Sequence, residues 1–252
     1  MHARCPRWPA GLLLALAAAC RHVPTEKELQ GAQIHYDLGV HAQSSNDVQG
    51  ALAEFEQALA TDPNFAEAHN AIAILLHVAF KRPEEAVPHY KRALEIRPTF
   101  SEAKTNLANV YLDLGRYDEA IALYQEALND MLYPTPFIAE GNLGWALYKK
   151  GDARAAVDHI KAAVTTNPKF CLGYKNLGII QDEGGNTEDA CRQFGNYAQT
   201  CPDLADAHYR AGVCLAKLGK GEDAKKSFEA CQAKSGNPAV KDDCRRLAEH
   251  LK

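Results

Sequence analysis

The chain has 252 residues, of which 46% are hydrophobic and 24% are charged. These proportions are typical of a folded globular protein and exclude a disordered or a collagen-like chain. The formal net charge of −4 argues against nucleic acid as the main partner, because there is no basic excess to neutralise phosphates. The longest apolar run, residues 10–19, is about half as long as a membrane-spanning helix, so we predict no spanning segment.

The first twenty residues predict an export signal. Two arginines precede the apolar segment Gly11–Leu16, and three alanines stand directly before Cys20. A basic segment, a short apolar segment and small residues before a cleavage site form a signal peptide. The pattern resembles a bacterial lipoprotein signal, which implies a signal peptide over residues 1–19 and acyl chains on Cys20. In that family, Arg21 in place of aspartate after the cysteine implies the outer membrane.

The chain repeats itself at an interval of 34 residues. Glu54–Phe65 reads EFEQALATDPNF, and His89–Phe100 returns as HYKRALEIRPTF. A fixed period of this length indicates a repeat architecture. The second unit carries one extra residue, which we expect in its internal turn. Six units are predicted, over residues 32–65, 66–100, 101–134, 137–170, 171–204 and 205–238.

Each unit predicts a hairpin of two helices. Position 20 is alanine in all six units and position 8 is glycine or alanine, which lets two antiparallel helices approach closely. Large apolar residues at position 24, and at position 7 in the first five units, are expected to fill the seam between the two helices. Glycine at position 15 in four units marks the turn between the helices.

This pattern resembles the tetratricopeptide repeat (TPR) over residues 32–238. The resemblance implies an all-α, right-handed solenoid of six helix pairs. Residues 239–252 read as an amphipathic helix that caps the solenoid. At the other end, Thr25 and Glu28 form a capping box, so residues 20–31 comprise the lipidated N-terminus, a short linker and the start of the first helix.

No pattern for catalysis or metal binding is found, and we predict neither an enzyme nor a cofactor. The histidines that share repeat positions 4 and 23 are interpreted as packing or surface residues. Apart from Cys5 and Cys20, the cysteines all fall in the last two units and the cap. An even number of cysteines in an exported protein favours disulfides, with reduced core thiols as the alternative. Because position 21 of one unit faces position 10 of the next, Cys191 is expected beside Cys214. Cys231, late in its helix, is expected near Cys244 in the cap, and Cys171 and Cys201 are left as the third candidate pair.

In TPR proteins, positions 2, 5, 9, 12 and 13 of each first helix line a concave groove. Thirteen of these thirty sites are apolar here, which predicts a hydrophobic peptide, helix or strand as the ligand. The alternative is a closed superhelix in which these residues pack internally. The predicted groove residues are Tyr36, Val40, Ile74, Val78, Leu112, Ile138, Trp145, Tyr148, Leu172, Ile179, Tyr209 and Val213.

The junction between units three and four points to one family of TPR lipoproteins. It reads Leu132-Tyr133-Pro134 and is followed by Glu140-Gly141-Asn142-Leu143-Gly144. It resembles the junction of type IV pilus pilotins of the PilF and PilW kind, and the length and architecture are similar to those of the Tgl group. The resemblance implies a lipid-anchored protein on the periplasmic face of the outer membrane. Its partner would be the pilus secretin, whose insertion and multimer assembly, and hence twitching or social motility, would depend on it.

Two other functions fit the same features. One is a lipid-anchored TPR adaptor for another envelope complex, such as one that docks peptidoglycan hydrolases. The other is a subunit of the machinery that inserts β-barrels. None of these functions requires a small-molecule substrate.

Overall fold

The computed structural model describes residues 24–251, and this part of the chain is helical with no strand. Twelve of its thirteen α-helices form six consecutive pairs, and the last helix packs on the twelfth. The all-α solenoid of six helix pairs is thereby confirmed. The helices are α1 (Glu26–Ser44), α2 (Val48–Thr61), α3 (Ala66–Ile74), α4 (Pro83–Ile96), α5 (Ser101–Asp113), α6 (Tyr117–Leu128), α7 (Pro136–Lys150), α8 (Ala153–Thr166), α9 (Cys171–Glu183), α10 (Thr187–Thr200), α11 (Ala205–Lys217), α12 (Gly221–Lys234) and α13 (Pro238–His250).

Local sequence signals explain where the helices begin and turn. The capping box forms at α1: the backbone N–H of Thr25 donates to a Glu28 carboxylate oxygen at 2.7 Å, and the Glu28 N–H donates to the Thr25 hydroxyl at 3.3 Å. The four glycines at position 15 adopt φ between +72° and +103°, a backbone region that other residues rarely enter. In the first two units, Asn46 and Lys81 adopt positive φ in the same turn.

Small residues at position 8 let the aromatic ring at position 24 lie against the facing helix. A Cβ atom added to Gly178 would lie 2.5 Å from the Phe194 ring, and one added to Gly212 would lie 2.8 Å from Phe228. The alanines at position 20 are fully buried. Each hairpin seam is therefore closed by the predicted pattern of small and large residues.

Leu38 departs from the prediction that position 7 fills the seam. Its counterparts, including Ile72, Leu107 and Leu143, are at most 5% exposed, whereas Leu38 is 48% exposed. Ile34, at position 3, is 60% exposed, although position 3 is buried in the other units. The reason is that these positions pack against the second helix of the preceding unit, and the first unit has none.

We expected the extra residue of the second unit in the turn between its helices. The structure instead accommodates it at the end of the first helix. Leu75–Ala79 forms one turn of π-helix, in which the Phe80 N–H donates to the Leu75 carbonyl at 3.0 Å. A π-turn absorbs one residue without breaking the helix. Behind it, the hairpin returns to the common register, with Ala86 at position 20 and Tyr90 at position 24.

Three disulfides lie in the last two units and the cap. Cys171 and Cys201 join the start of α9 to the residue after α10, with Cα atoms 6.2 Å apart. The pair Cys191–Cys214 joins α10 to α11, and the pair Cys231–Cys244 joins α12 to α13, with Cα separations of 5.2 and 6.1 Å. These separations fall in the normal range for a disulfide. The oxidation state of the exported protein is a prediction that thiol counting tests.

Candidate functional site

The predicted groove residues lie on the first helices α1, α3, α5, α7, α9 and α11, with Val78 in the π-turn that follows α3. None of these twelve residues is buried: eight are half-buried, and Val40, Val78, Leu172 and Tyr209 are exposed. The concave wall is thus not filled by the protein's own side chains. A solvated row of apolar residues is a surface that a ligand can cover.

The centre of the groove is a cavity of about 580 Å³ between α5, α7 and α9, which we call the central cavity. Its apolar lining comes from Leu112, Trp145, Leu172 and Ile179. Three consecutive first helices therefore bring four of the twelve predicted residues into one site.

The other predicted residues do not share this cavity. Tyr36 lines a second cavity of about 450 Å³ with Glu67, Asn70 and Arg97. Tyr209 and Val213 line a third, smaller one of about 120 Å³. Five residues lie outside these three cavities: Val40, Ile74, Val78, Ile138 and Tyr148.

Asparagines between the apolar side chains were not predicted. Asn109, Asn142 and Asn176 line the central cavity. The Asn109 side-chain oxygen accepts from the Tyr124 hydroxyl at 2.6 Å and from the Asn142 amide at 2.8 Å, which links the third unit to the fourth. The sequence signal was available, because asparagine recurs at position 6 in units three, four and five, at Asn106, Asn142 and Asn176. Amide side chains both donate and accept, so they can bind the backbone of an extended segment.

The charges in the groove are largely neutralised within the protein. Lys175 is 3.0 Å from Asp206, and Lys217 is 2.8 Å from Asp182. Lys149 lies over the Trp145 ring, with its ammonium 4.7 Å from the ring centroid. Ion pairs and a cation–π contact occupy these lysines, which disfavours a clamp for a free carboxylate.

Tyr148 extends the aromatic surface along α7. Its ring centroid lies 5.3 Å from that of Trp145, and its hydroxyl donates to a carboxylate oxygen of Glu183 on α9. This hydrogen bond raises the pKa of Tyr148 to about 12, because the neighbouring carboxylate disfavours a phenolate. The phenol stays neutral and holds α7 and α9 in a fixed relation at one wall of the groove.

Four of the five histidines at positions 4 and 23 pair across their own hairpins, whereas His208 contacts the Pro202 carbonyl at 2.9 Å. His35 lies 2.7 Å from Glu54, and Glu140 lies 2.8 Å from His159. His69 and His89 face each other, with their Nδ1 atoms 3.3 Å apart. These contacts join the two helices of a unit, as a packing role requires. Among the described residues, no group of three or more histidine, cysteine, aspartate or glutamate side chains is arranged to hold a metal ion.

The predicted lipidation site, Cys20, lies outside the described residues. The described helices include none with the length and apolar character to cross a membrane. Acylation of Cys20 stays a prediction.

Sequence comparison identifies the repeat. Tetratricopeptide repeat profiles match residues 36–99 and 105–169, and others match residues 77–131 and 206–237. The chain belongs to the tetratricopeptide repeat family. Proteins of this fold are generally scaffolds for protein interactions, and their function depends on the site that each one carries.

Several curated TPR proteins are similar to parts of this chain. PilF, a type IV pilus assembly protein of Pseudomonas aeruginosa, is 28% identical over 140 residues, which cover 56% of this chain and 54% of PilF. Tetratricopeptide repeat protein 6 of Homo sapiens is 27% identical over 62% of this chain and 30% of its own length. FlbA of Caulobacter vibrioides is 26% identical over 77% of this chain and 32% of its own. The matches thus span about a third to a half of these relatives.

Solved structures match over more of their length. The crystal structure of PilW, a type IV pilus biogenesis factor, superposes with a TM-score of 0.76 at 26% identity, covering 85% of this chain and 98% of PilW. The structure of Pseudomonas aeruginosa PilF gives a TM-score of 0.73 over 88% of this chain and 99% of PilF. Its 17% identity shows the shared fold alone. The chain is a TPR protein with similarity to the type IV pilus factors PilF and PilW.

Proposed function

We propose that this protein is a pilotin of the Tgl kind: a lipoprotein, anchored through Cys20 at the periplasmic face of the outer membrane, that binds secretin subunits and promotes their assembly for type IV pili. The observation that carries the proposal is the open central cavity, in which four apolar side chains lie among asparagines, in a chain whose match to PilW covers 98% of PilW. The similarity to PilF and PilW supports an adaptor role in pilus biogenesis. The secretin as client is our own inference.

The chemistry of the central cavity suits an extended segment with alternating side chains. Leu112, Trp145, Leu172 and Ile179 offer apolar contacts, and Asn109 and its neighbouring asparagines offer amide donors and acceptors. A strand in transit exposes both apolar side chains and unpaired backbone groups, which favour aggregation until they are covered. A groove that covers the apolar side chains and bonds to the backbone groups would shield a membrane-seeking secretin segment until it inserts.

The anchor would place this groove where the client must insert. A single acyl chain binds a membrane only marginally, whereas two or more chains give stable anchoring. Diacylation of the cysteine, followed by the short linker up to Thr25, would keep the solenoid close to the bilayer.

Deletion of the gene tests the proposal. We expect heat-resistant secretin multimers and surface pili to disappear while secretin monomer persists, because assembly and not synthesis is impaired. Normal multimers and pili in the deletion strain would refute the pilotin function. Normal multimers with mislocalised peptidoglycan hydrolases would instead indicate the alternative adaptor function.

Two groove variants test the binding surface. Leu172→Glu combined with Ile179→Glu places two carboxylates in the central cavity, and we expect multimers to be lost as in the deletion strain. The matched control, Gln125→Glu combined with Ala153→Glu, adds the same charge at exposed sites on second helices and should leave assembly intact. Multimer formation by the groove variant would place secretin binding elsewhere on the protein.

The anchor is tested separately. Cys20→Ala should abolish acyl labelling and move the protein from the outer-membrane fraction to the periplasm. A Cys20→Ala protein that still fractionates with the outer membrane would contradict the lipid anchor without affecting the groove.

A further inference from the structure

The two most exposed large hydrophobic residues among the described ones lie next to each other in the turn between α6 and α7. Met131 is 98% exposed and Leu132 is 90% exposed. No groove residue approaches these values: the most exposed of them, Val78, is 56% exposed. The function proposed above does not use this pair, which lies in a turn and not on the concave wall.

In four other units the same turn position holds a proline followed by a polar residue. The tips of the four corresponding turns are Pro63-Asn64, Pro98-Thr99, Pro168-Lys169 and Pro202-Asp203, and all are exposed. The residue that follows the tip is apolar in every unit, and in this turn it is Tyr133, which is 6% exposed. The fold therefore presents this position to solvent, and only here does the sequence fill it with two large apolar side chains.

The Met131-Leu132 turn is held in place. The Asp130 carboxylate accepts from the Leu132 N–H at 2.9 Å and from the Ser101 hydroxyl at 2.7 Å. These hydrogen bonds lower the pKa of Asp130, so it stays ionised and keeps both bonds at neutral pH. With Tyr133 buried behind them, the two apolar side chains are fixed pointing away from the solenoid.

The position of the turn suggests what covers it. Every first helix begins, and every second helix ends, at one edge of the solenoid, which we call the repeat-turn edge. The Met131-Leu132 turn lies on this edge, and so does Thr25, where the chain coming from Cys20 enters α1. Leu29 and Leu204, each 47% exposed, lie at the same edge. In the described part of the chain, the turns at the opposite edge contain no exposed large hydrophobic residue.

We propose that Met131 and Leu132 insert into the lipid bilayer to which the protein is tethered, and so orient the solenoid with its repeat-turn edge toward the membrane. The inference rests on the anchor in the proposed function. A bilayer fits the turn better than a protein partner does, because two protruding side chains contribute little to an interface of 1,200–2,000 Å² but can enter the headgroup region without a shaped partner.

Fluorescence quenching in vesicles tests this insertion. Residues 20–252 are produced without acylation and coupled through the Cys20 thiol to a maleimide phospholipid in vesicles of phosphatidylethanolamine and phosphatidylglycerol with brominated acyl chains. Trp145 is the single tryptophan of this segment, so Leu132→Trp combined with Trp145→Phe carries one probe, in the turn. We expect a blue-shifted emission and several-fold stronger quenching than in the control, Glu222→Trp combined with Trp145→Phe, whose probe is exposed at the opposite edge.

Each other outcome overturns the proposal. Equal quenching of the two probes, whether weak or strong, would show that the tethered solenoid has no preferred edge. A Leu132→Trp probe that is unquenched by lipid but shifts to the blue when secretin is added would make the turn a protein-docking site. Chemical coupling bypasses cellular acylation and the lipid quenching is measured before any secretin is added, so a negative quenching result leaves the proposed function standing. Conversely, normal multimers in a deletion strain would refute that function without affecting the quenching.

Discussion

The N-terminal and the C-terminal units close their hairpins with the same kind of aromatic seam but connect to their neighbours differently. From Ala51 to Ala146, one continuous apolar core runs through α2 to α7, with Tyr90 and Tyr124 buried inside it. In the last two units the buried residues form smaller clusters around Phe194 and Phe228, and the three disulfides lie there.

The difference originates in the residues that face the preceding unit. Position 10 is Leu75 in the second unit and Val110 in the third, but Cys214 in the sixth. Position 7 is a leucine or isoleucine up to Leu177, and then becomes Ala211. The half-cystines Cys214 and Cys231 are at most 2% exposed and replace aliphatic packing as well as providing covalent links. We therefore expect side-chain packing to suffice in the N-terminal half of the solenoid and the C-terminal half to depend on its disulfides.

Reduction of the disulfides should produce the largest difference in stability between the two halves. A disulfide typically contributes about 2–4 kcal/mol, mainly by restricting the unfolded chain. We expect a reductant to remove hydrogen-exchange protection from residues 171–251 while residues 48–150 keep theirs, because the N-terminal core contains no cystine. Hydrogen exchange with mass spectrometry, with and without reductant, measures this.

The control for this prediction is a thiol count in denaturant. The oxidised, acylated mature protein should show no reactive thiol, because the lipid blocks Cys20, and reduction should release six thiols. Six free thiols in exported material before reduction would contradict the disulfides. Equal loss of protection in both halves would contradict the independence of the N-terminal core.

Glycine-to-alanine substitutions test the packing between the two helices of one unit, with a smaller expected effect on stability. Position 8 is Ala73 and Ala108 in units two and three, but glycine in the last three units. Gly178→Ala would bring a methyl group to 2.5 Å from the Phe194 ring, and such overpacking typically costs about 1–3 kcal/mol. Gly195→Ala in α10 meets no atom within 4 Å and should stabilise the helix by about 0.5–1 kcal/mol.

Urea denaturation of the two variants compares these expectations directly. If Gly178→Ala lowers the free energy of unfolding and Gly195→Ala raises it, the difference arises from packing in the seam and not from helix propensity, because the chemical change is the same. If Gly178→Ala were neutral or stabilising, the close approach of α9 to the Phe194 ring would not be a constraint on the sequence.

Much of this organisation could be read from the sequence because each unit repeats the same local rules. The period of 34 residues, the turn glycines and the small residues of the seam each specify contacts within one hairpin or between neighbours. The close approach of Cys191 to Cys214 follows from the same rule, since positions 21 and 10 face each other wherever two units stack.

The features that the sequence did not predict depend on context outside one unit. Leu38 has the residue type of a buried position but lacks the preceding unit that would bury it. The extra residue in unit two could enter either a turn or a helix, and the π-turn at Leu75–Ala79 depends on packing that a period of 3.6 residues does not encode. Asn109 and Asn142 of the central cavity bond across the boundary between units three and four. The recurrence of asparagine at position 6 does not predict this contact, because Asn109 stands at position 9.

The smallest expected effect concerns pH and is confined to the N-terminal half. Burial lowers the pKa values of His69 and His89 below their ordinary value of 6.5, and each imidazole is also in contact with the other. Because the folded state binds protons less readily than the unfolded state, stability is complete above pH 6.5 and decreases as the pH falls toward the lowered pKa values. The loss should stay below about 1 kcal/mol, because both rings are half-buried and solvent screens their charges.

His89→Gln separates this contribution from other titrating groups, since Gln retains a hydrogen-bonding side chain without a charge. We expect the thermal midpoint of the unmodified protein to fall more steeply than that of the variant between pH 7 and pH 5, with hydrogen exchange increasing in α3 and α4 and not in α9 to α13. His159→Gln is the matched control, because it makes the same substitution at the same repeat position, where the neighbour across the hairpin is the Glu140 carboxylate and not a second imidazole. Parallel curves for His89→Gln and the unmodified protein would show that the facing imidazoles do not limit stability in acid, and that the two halves of the solenoid respond alike.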